Sequence, residues 1–356
     1  LNIPAKITLL LLAVLSIMLY SCNTTESNED EDNIVPGKRN YTWNIDSVDY
    51  GSLPGLIELS SIWGSSPDDV WGAAFTADVR NCLWHYDGQK WSRAVWNTPI
   101  TEYGNGSKSA GGVWGFSKDD VWVFGGRIYS STETTAPFIM HYDGSKWTEV
   151  TGDVSQMPNG YTDIYPISKN HFWISSSGHV CEYKDGIWKK YNMRDDYYIQ
   201  SICGLENDIY VTAYPIGKDS LYLMKLVGSD FVIIDQSSLY HDPKFSVNGL
   251  LFADSKVYTF GLGLFIAEVK NKSIDTSTWE KVINLPAGGI RKAFKISTKD
   301  IWAVGYPGII YQYNGENWER IFIEGQDADA MYDAVWGDGS EIFICDIENG
   351  IVFHGK

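Results

Sequence analysis

The sequence predicts an all-β chain folded as a seven-bladed β-propeller, with the N-terminal strand completing the last blade. Three observations carry this. A phrase of four strand-like pieces recurs seven times in degenerate copies. The third and fourth pieces are mostly joined by Asp-Gly or Asn-Gly, the dipeptides that tight hairpins favour. Seven first strands are present but only six fourth strands follow them, and a matching segment stands ahead of the first copy.

The clearest copy runs from Asp300 to Trp318. Asp300-Ile301-Trp302-Ala303-Val304 is short, β-branched and aromatic, and Tyr306-Pro307-Gly308 turns the chain. Ile309 to Tyr313 makes the next strand, Asn314-Gly315 the hairpin, and Asn317-Trp318 opens the strand after it. No apolar spacing near 3.6 persists, so helix is the weaker reading. First strands begin at Ser61, Gly112, Asp163, Ser201, Gly249, Lys292 and Ala334. Second strands carry Trp71, Trp122, Trp173, Tyr210, Tyr258, Trp302 and Phe343 at one position. Fourth strands carry Trp91, Trp147, Trp188, Phe231, Trp279 and Trp318. The chain stops at Lys356, where a seventh fourth strand is due, and Asn40 to Ile45 resembles the missing piece. Pairing it with the last copy closes a ring and removes two open edges.

The repeat also explains the tryptophans. Of 15 Trp, only Trp84 and Trp96 lack an equivalent in other copies, so the rest are expected to pack blade on blade. First-to-second and third-to-fourth connections are short. Second-to-third and fourth-to-first connections vary in length, and in a propeller both emerge on one face, where function usually sits.

The N-terminus predicts an address. Lys6 precedes the apolar run Ile7 to Tyr20, which has signal-peptide length and is short for a membrane span. Leu19-Tyr20-Ser21-Cys22 resembles a bacterial lipobox, so residues 1–21 are expected to be a lipoprotein signal and Cys22 the lipidated residue. Residues 22–39, rich in Glu, Asp, Asn and Thr, are expected to be an acidic disordered tether, with the propeller over 40–356. The acidic run after Cys22 resembles the export signal of some surface lipoproteins. The expected place is the outer membrane, facing periplasm or cell surface and touching the membrane through the lipid alone.

Composition narrows the chemistry. A formal charge of −17, from 28 Lys and Arg against 45 Asp and Glu, argues against nucleic acid as partner. The six His are scattered among the copies, and no HExxH, EF-hand loop or paired CxxC occurs, so no metal or other cofactor is expected. The remaining cysteines, Cys82, Cys181, Cys203 and Cys345, suggest no disulfide framework. There is no GxSxG elbow.

The variable connections hold the candidate binding residues. Fourth-to-first loops are expected to carry Trp96, Tyr103, Tyr161, Arg194, Asp196, Tyr198, His241 and Arg291, and second-to-third loops Arg127, Tyr129, Tyr214 and Tyr306. Aromatics beside charges on one face suit recognition of a protein or a glycan. Asp163, Arg291, Lys292 and Asp333 lie near first strands, where they can line the channel mouth.

The phrases Ser66 to Trp91 and Ser117 to Trp147 resemble a repeat of secreted bacterial propeller lipoproteins. Ile301 to Trp318 is similar to tectonin-type lectin repeats and, more distantly, to photosystem II assembly-factor propellers. Asp87 to Trp91 and Asp143 to Trp147 resemble the Asp-box of sialidase-like propellers, where it is also a structural hairpin. The tectonin likeness implies glycan binding and carries over no ligand residues. Together these readings give a monomeric, lipid-anchored propeller acting as a non-catalytic binding or scaffolding module. The alternatives are a glycan hydrolase or lyase with its site at the channel mouth, or a structural subunit of an envelope complex.

Overall fold

A computed structural model describes residues 34–48, 58–75, 82–94, 107–129, 134–193, 197–239, 241–285 and 287–356. The expectations for Cys22, Trp96, Tyr103, Arg194 and Asp196 lie outside those residues. Seven antiparallel sheets follow one another, each paired in sequence order. Blade one is Glu58–Ser66, Asp69–Phe75, Leu83–Tyr86 and Trp91–Arg93. Blade two is Ser107–Ser117, Asp120–Tyr129, Thr134–Tyr142 and Trp147–Glu149. Blade three is Asp163–Ser168, His171–Ser176, His179–Lys184 and Ile187–Asn192, and blade four Tyr197–Leu205, Asp208–Pro215, Leu221–Val227 and Asp230–Ser237. Blade five is Gly249–Ala253, Lys256–Phe260, Gly263–Lys270 and Glu280–Asn284, with Ser273–Ile274 pairing as an extra short strand. Blade six is Gly289–Ser297, Asp300–Tyr306, Ile309–Tyr313 and Trp318–Arg320. Blade seven takes Tyr332–Gly337, Ile342–Asp346 and Ile351–Gly355 from the end of the chain and Trp43–Ser47 from its beginning.

That last pairing is the expected closure, with Trp43 opposite Gly355 and Ser47 opposite Ile351. Each inner strand contacts the next, including blade seven on blade one, so the ring is complete. The short turns form as the dipeptides require. Gly88, Gly144 and Gly315 have φ of 84°, 87° and 91°, which a side chain resists. Asp87 Oδ1 accepts from the amides of Gln89 and Lys90 at 3.0 and 2.9 Å, and Asp143 and Asn314 repeat the pattern.

The core lies between blades. In several inner strands a large residue is set against the next blade. A Cβ on Gly115 would stand 2.3 Å from the Trp63 ring, on Gly64 2.8 Å from Trp336, and on Gly204 2.2 Å from Tyr165. Where the inner-strand residue is smaller, as at Cys203 and Leu251, the next blade carries Phe252 and Lys295 in place of glycine. At these interfaces a large side chain on one strand is matched by a small residue on the other.

Most blades also carry an acid–aromatic–base clasp between second and third strands. His85 Nε2 lies 2.6 Å from Asp69 Oδ1 and its ring stacks on Trp71 at 4.2 Å. His141 repeats this with Asp120 at 2.9 Å and Trp122 at 4.1 Å. His354 does so with Glu341 at 2.5 Å and Phe343 at 3.9 Å. Lys225 with Asp208, at 2.5 Å, and Gln312 with Asp300, at 2.8 Å, are the versions in blades four and six. Blade three inverts the order, with His171 on the second strand and Glu182 on the third, 2.9 Å apart. Burial works against ionised Asp69, but hydrogen bonds from His85 and Ser65 outweigh it and hold the carboxyl below its usual range.

The sequence reading needs one adjustment at the N-terminus. Gly37, Lys38 and Arg39, placed in the tether, are docked on the short-turn face. Gly37 N donates to Lys299 O at 2.9 Å, Gln312 Nε2 to Lys38 O at 2.8 Å, and Arg39 Nη1 to Glu319 at 2.7 Å. Glycine is required because a Cβ at position 37 would lie 2.5 Å from Asp300. Among the described residues, no helix is long and apolar enough to cross a membrane.

Candidate functional site: the channel mouth on the long-loop face

Inner strands run from the long-loop face towards the short turns, so their first residues ring one mouth of the central channel. A cavity of about 240 Å³ occupies the channel. Its collar is the first column of the repeat: Ser61, Gly112, Asp163, Ser201, Gly249, Lys292 and Ala334. Below it lie Ile62, Val113, Ile164, Ile202, Leu250, Ala293 and Val335, and then Trp114, Tyr165, Cys203, Leu251 and Phe294. A polar collar therefore opens onto an apolar channel.

β-Bulges aim the collar. Pairing with the second strand shifts between Leu59 and Ser61, Ala110 and Gly112, Ile199 and Ser201, Ile290 and Lys292, and Tyr332 and Ala334. The same bulge in five blades puts an extra residue at the rim of each. In blades six and seven that residue is Arg291 and Asp333, which pair across the blade boundary, with Arg291 Nη2 3.0 Å from Asp333 Oδ2.

One ion pair spans the mouth. Lys292 in blade six donates to Asp163 Oδ1 in blade three at 2.9 Å, with side chains 30% and 17% exposed. Asp163 Oδ2 also accepts from Ser201 Oγ at 2.5 Å and from Ile202 N at 3.3 Å. Burial disfavours the ammonium, but Asp163 and the Tyr161 hydroxyl together hold Lys292 above its ordinary range. The Tyr161 ring fills the place left by Gly112, where a Cβ would meet it at 2.4 Å. Burial pushes the Tyr161 hydroxyl up to about 12, with Lys292 pulling the other way and Ser61 as hydrogen-bond partner. Burial likewise pushes the Cys203 thiol up to about 11, so it is not a ready nucleophile.

The other expected residues fall in different places. Tyr161 and His241 are in connections between blades, as expected. Tyr198, Tyr214, Arg291, Tyr306, Arg127 and Tyr129 are not in loops but in strands. The first two sit there because the blade-four ladder resumes beyond its bulge and runs out to Tyr197 opposite Pro215. In blade six the bulge at Arg291 lets the ladder continue to Gly289 opposite Tyr306. In blade two the ladder runs on to Tyr129 opposite Thr134. Tyr198 and Tyr214 face each other in the blade-four ladder and stack at 5.4 Å and 22°. His241 is 85% exposed beside Asp219 at 3.8 Å, and Tyr306 is 39% exposed. The structure thus gathers Tyr161 with Asp163 and Lys292, and Tyr198 with Tyr214. Sequence reasoning passed over Ser61, Ser201 and Asn248 in the cavity wall. The signal was the first column of the repeat, where serine, aspartate and lysine interrupt small residues. Among the described residues no cluster of His, Cys, Asp and Glu could hold a metal ion.

No protein-family model matches the chain, and comparison with curated proteins gives no match. Solved structures do resemble it. YCF48 bound to D1 peptide aligns with TM-score 0.60 and 12% identity over 90% of this chain and 99% of that one. The BT4673 extracellular domain from B. thetaiotaomicron aligns with TM-score 0.60 and 14% identity over 88% of this chain, which matches 39% of that longer one. The WD40 β-propeller domain of Doa1 aligns with TM-score 0.58 and 13% identity, over 90% and 97%. At these identities the likeness is one of architecture, and the architecture is the seven-bladed β-propeller.

Proposed function

We propose that this propeller is a non-catalytic binding module of the cell envelope, anchored by lipid at Cys22, which docks a protein partner on its long-loop face. The carrying observation is the ring of inner-strand bulges. It sets a charged pair, Arg291 and Asp333, at one mouth of a rigid scaffold, where half-buried Tyr161 also stands. Polar groups around an apolar depression suit a protein partner, the depression supplying the anchor site and the rim the register. The docked segment at Gly37 to Arg39 adds to this reading. It brings the chain in along the short-turn face, so a tether ahead of it leaves the long-loop face pointing away from the membrane. YCF48, a propeller of similar architecture, is described with a bound peptide, and the BT4673 match is an extracellular domain.

A glycan partner has one observation in its favour, the stacked Tyr198–Tyr214 pair, since flat aromatic faces suit sugar rings. Partner capture by the full chain from envelope extracts separates the readings. Arg291→Gln with Asp333→Asn should abolish capture of a protein, whereas Tyr198→Ser should abolish binding on a glycan array. Retention of every ligand by all these variants would refute docking at this face. Cys22→Ala should move the chain out of the membrane fraction, and a variant that stays there would refute the anchor.

A further inference from the structure

The channel beneath the rim has a chemistry of its own. At one register point of each inner strand, the backbone N–H faces away from the second strand towards the preceding blade. In three blades the preceding blade supplies an acceptor. Val113 N donates to Ser61 Oγ at 3.1 Å, Ile202 N to Asp163 Oδ2 at 3.3 Å, and Leu250 N to Ser201 Oγ at 3.0 Å. The equivalent amides of Ile164, Ala293, Val335 and Ile62 are preceded across the blade boundary by Gly112, Gly249, Lys292 and Ala334, whose side chains offer no acceptor. The last three belong to consecutive blades, six, seven and one, and Ile164 stands apart from them in blade three. The arc those three form is also where Lys292 originates. One side of the channel is therefore rich in donors, and donors out of water call for an acceptor.

Lys292 already shows which acceptor it takes, a carboxylate, here Asp163 reaching from the opposite wall. Below the pair the channel is mainly apolar, with Lys295 in its lining donating to Phe252 O at 2.8 Å. Its volume is about 240 Å³. That is below the usual range for drug-sized ligands and enough for one small ring or branched chain.

We propose that the channel binds a small organic carboxylate bearing one aromatic or branched aliphatic group, and that the Asp163–Lys292 ion pair across the mouth is the closure which the ligand's carboxylate displaces. The exchange costs Asp163 its cation but not its hydrogen bonds. The incoming carboxylate takes Lys292 and the donor arc, while Asp163 keeps Ser201 Oγ and Ile202 N. The apolar group replaces water along Ile164, Ile202 and Leu250.

Calorimetric titration of the full-length chain with 3-phenylpropionate and with uncharged 3-phenylpropan-1-ol tests this. Saturable binding of the acid in preference to the alcohol is expected. Asp163→Asn removes the competing charge and keeps its hydrogen bonding, so it should tighten the acid at least tenfold and leave the alcohol unchanged. Lys292→Met should weaken the acid at least tenfold. Because that change strands Asp163, the neutral pair D163N/K292M repeats the test in a background that folds, and it too should fail to bind the acid. The proposal is overturned if folded wild type and D163N both ignore the acid, if acid and alcohol bind alike, or if D163N leaves acid affinity unchanged. Partner capture at the rim is read separately and can fail without altering these outcomes.

Discussion

Blade three shows what the clasps are for at the scale of single residues. Its acid and base have exchanged strands, His171 to the second and Glu182 to the third, yet the 2.9 Å contact persists. The clasp therefore needs one charge-assisted hydrogen bond between two strands and not a given residue at a given place. His171→Glu should set two carboxylates against each other and lower stability by about 1–2 kcal/mol. The exchange H171E/E182H should recover most of that loss, as read by denaturant midpoints. Equal stability of the single and exchanged variants would show that the contact contributes nothing.

His179 gives a second prediction at this scale. It is buried at the second-to-third hairpin of blade three, with Ser176 Oγ 2.9 Å from Nε2. Burial, helped by Lys190, lowers its pKa to about 4. A depressed histidine contributes stability that is whole above the unfolded pKa near 6.5 and lost as pH falls towards the folded value. Stability should therefore decline between about pH 6.5 and 4, with this one group adding a slope of at most about 1.4 kcal/mol per pH unit. His179→Gln should flatten that part of the profile. An identical slope in the variant would place the acid sensitivity elsewhere.

Elements meet through paired sizes. Trp63 of blade one lies on Gly115 of blade two, and a Cβ there has 2.3 Å where contact needs more than 3 Å. Gly115→Ala should cost about 1–3 kcal/mol by overpacking. Trp63→Leu should be less harmful in the G115A background than in the wild type, a coupling that thermal or chemical unfolding of the four proteins measures. Additive effects would mean that the ring and the glycine do not share the space.

Much of this level was legible in the chain. Trp302, Trp318 and the Asn314-Gly315 turn announce strand, packing face and hairpin by local chemistry alone. The seven-fold phrase with its displaced last strand fixes the ring. Cross-blade partnerships were not legible, because Trp63 and Gly115 are far apart in sequence and each looks like an ordinary member of its own copy. Bulges were not legible either. Arg291 and Asp333 read as residues near first strands that can line the channel mouth, and the register shifts add that they are the bulged residues of their blades. Asp163 and Lys292 were placed at the channel by counting along the repeat, but nothing local says that they meet across it. The docking of Gly37 was hidden by its polar neighbourhood, since its partners belong to blade six.

The whole molecule is a closed ring with two unlike faces. The short turns on one face are spaced by Asp-Gly and Asn-Gly chemistry and receive the incoming N-terminal segment. The other bears the bulged inner strands, the Tyr198–Tyr214 stack and the ion pairs at the mouth. A chain held by its N-terminus then presents the second face to its surroundings. Photoreactive residues placed singly in the full chain, in cells, test this directly, at Tyr198 and Tyr306 on the long-loop face and at Asn317 and Ser340 on the short-turn face. The account predicts a discrete crosslinked partner from Tyr198 and Tyr306 and none from the other two. A partner captured through Asn317 or Ser340 instead, or equally from both faces, would contradict it.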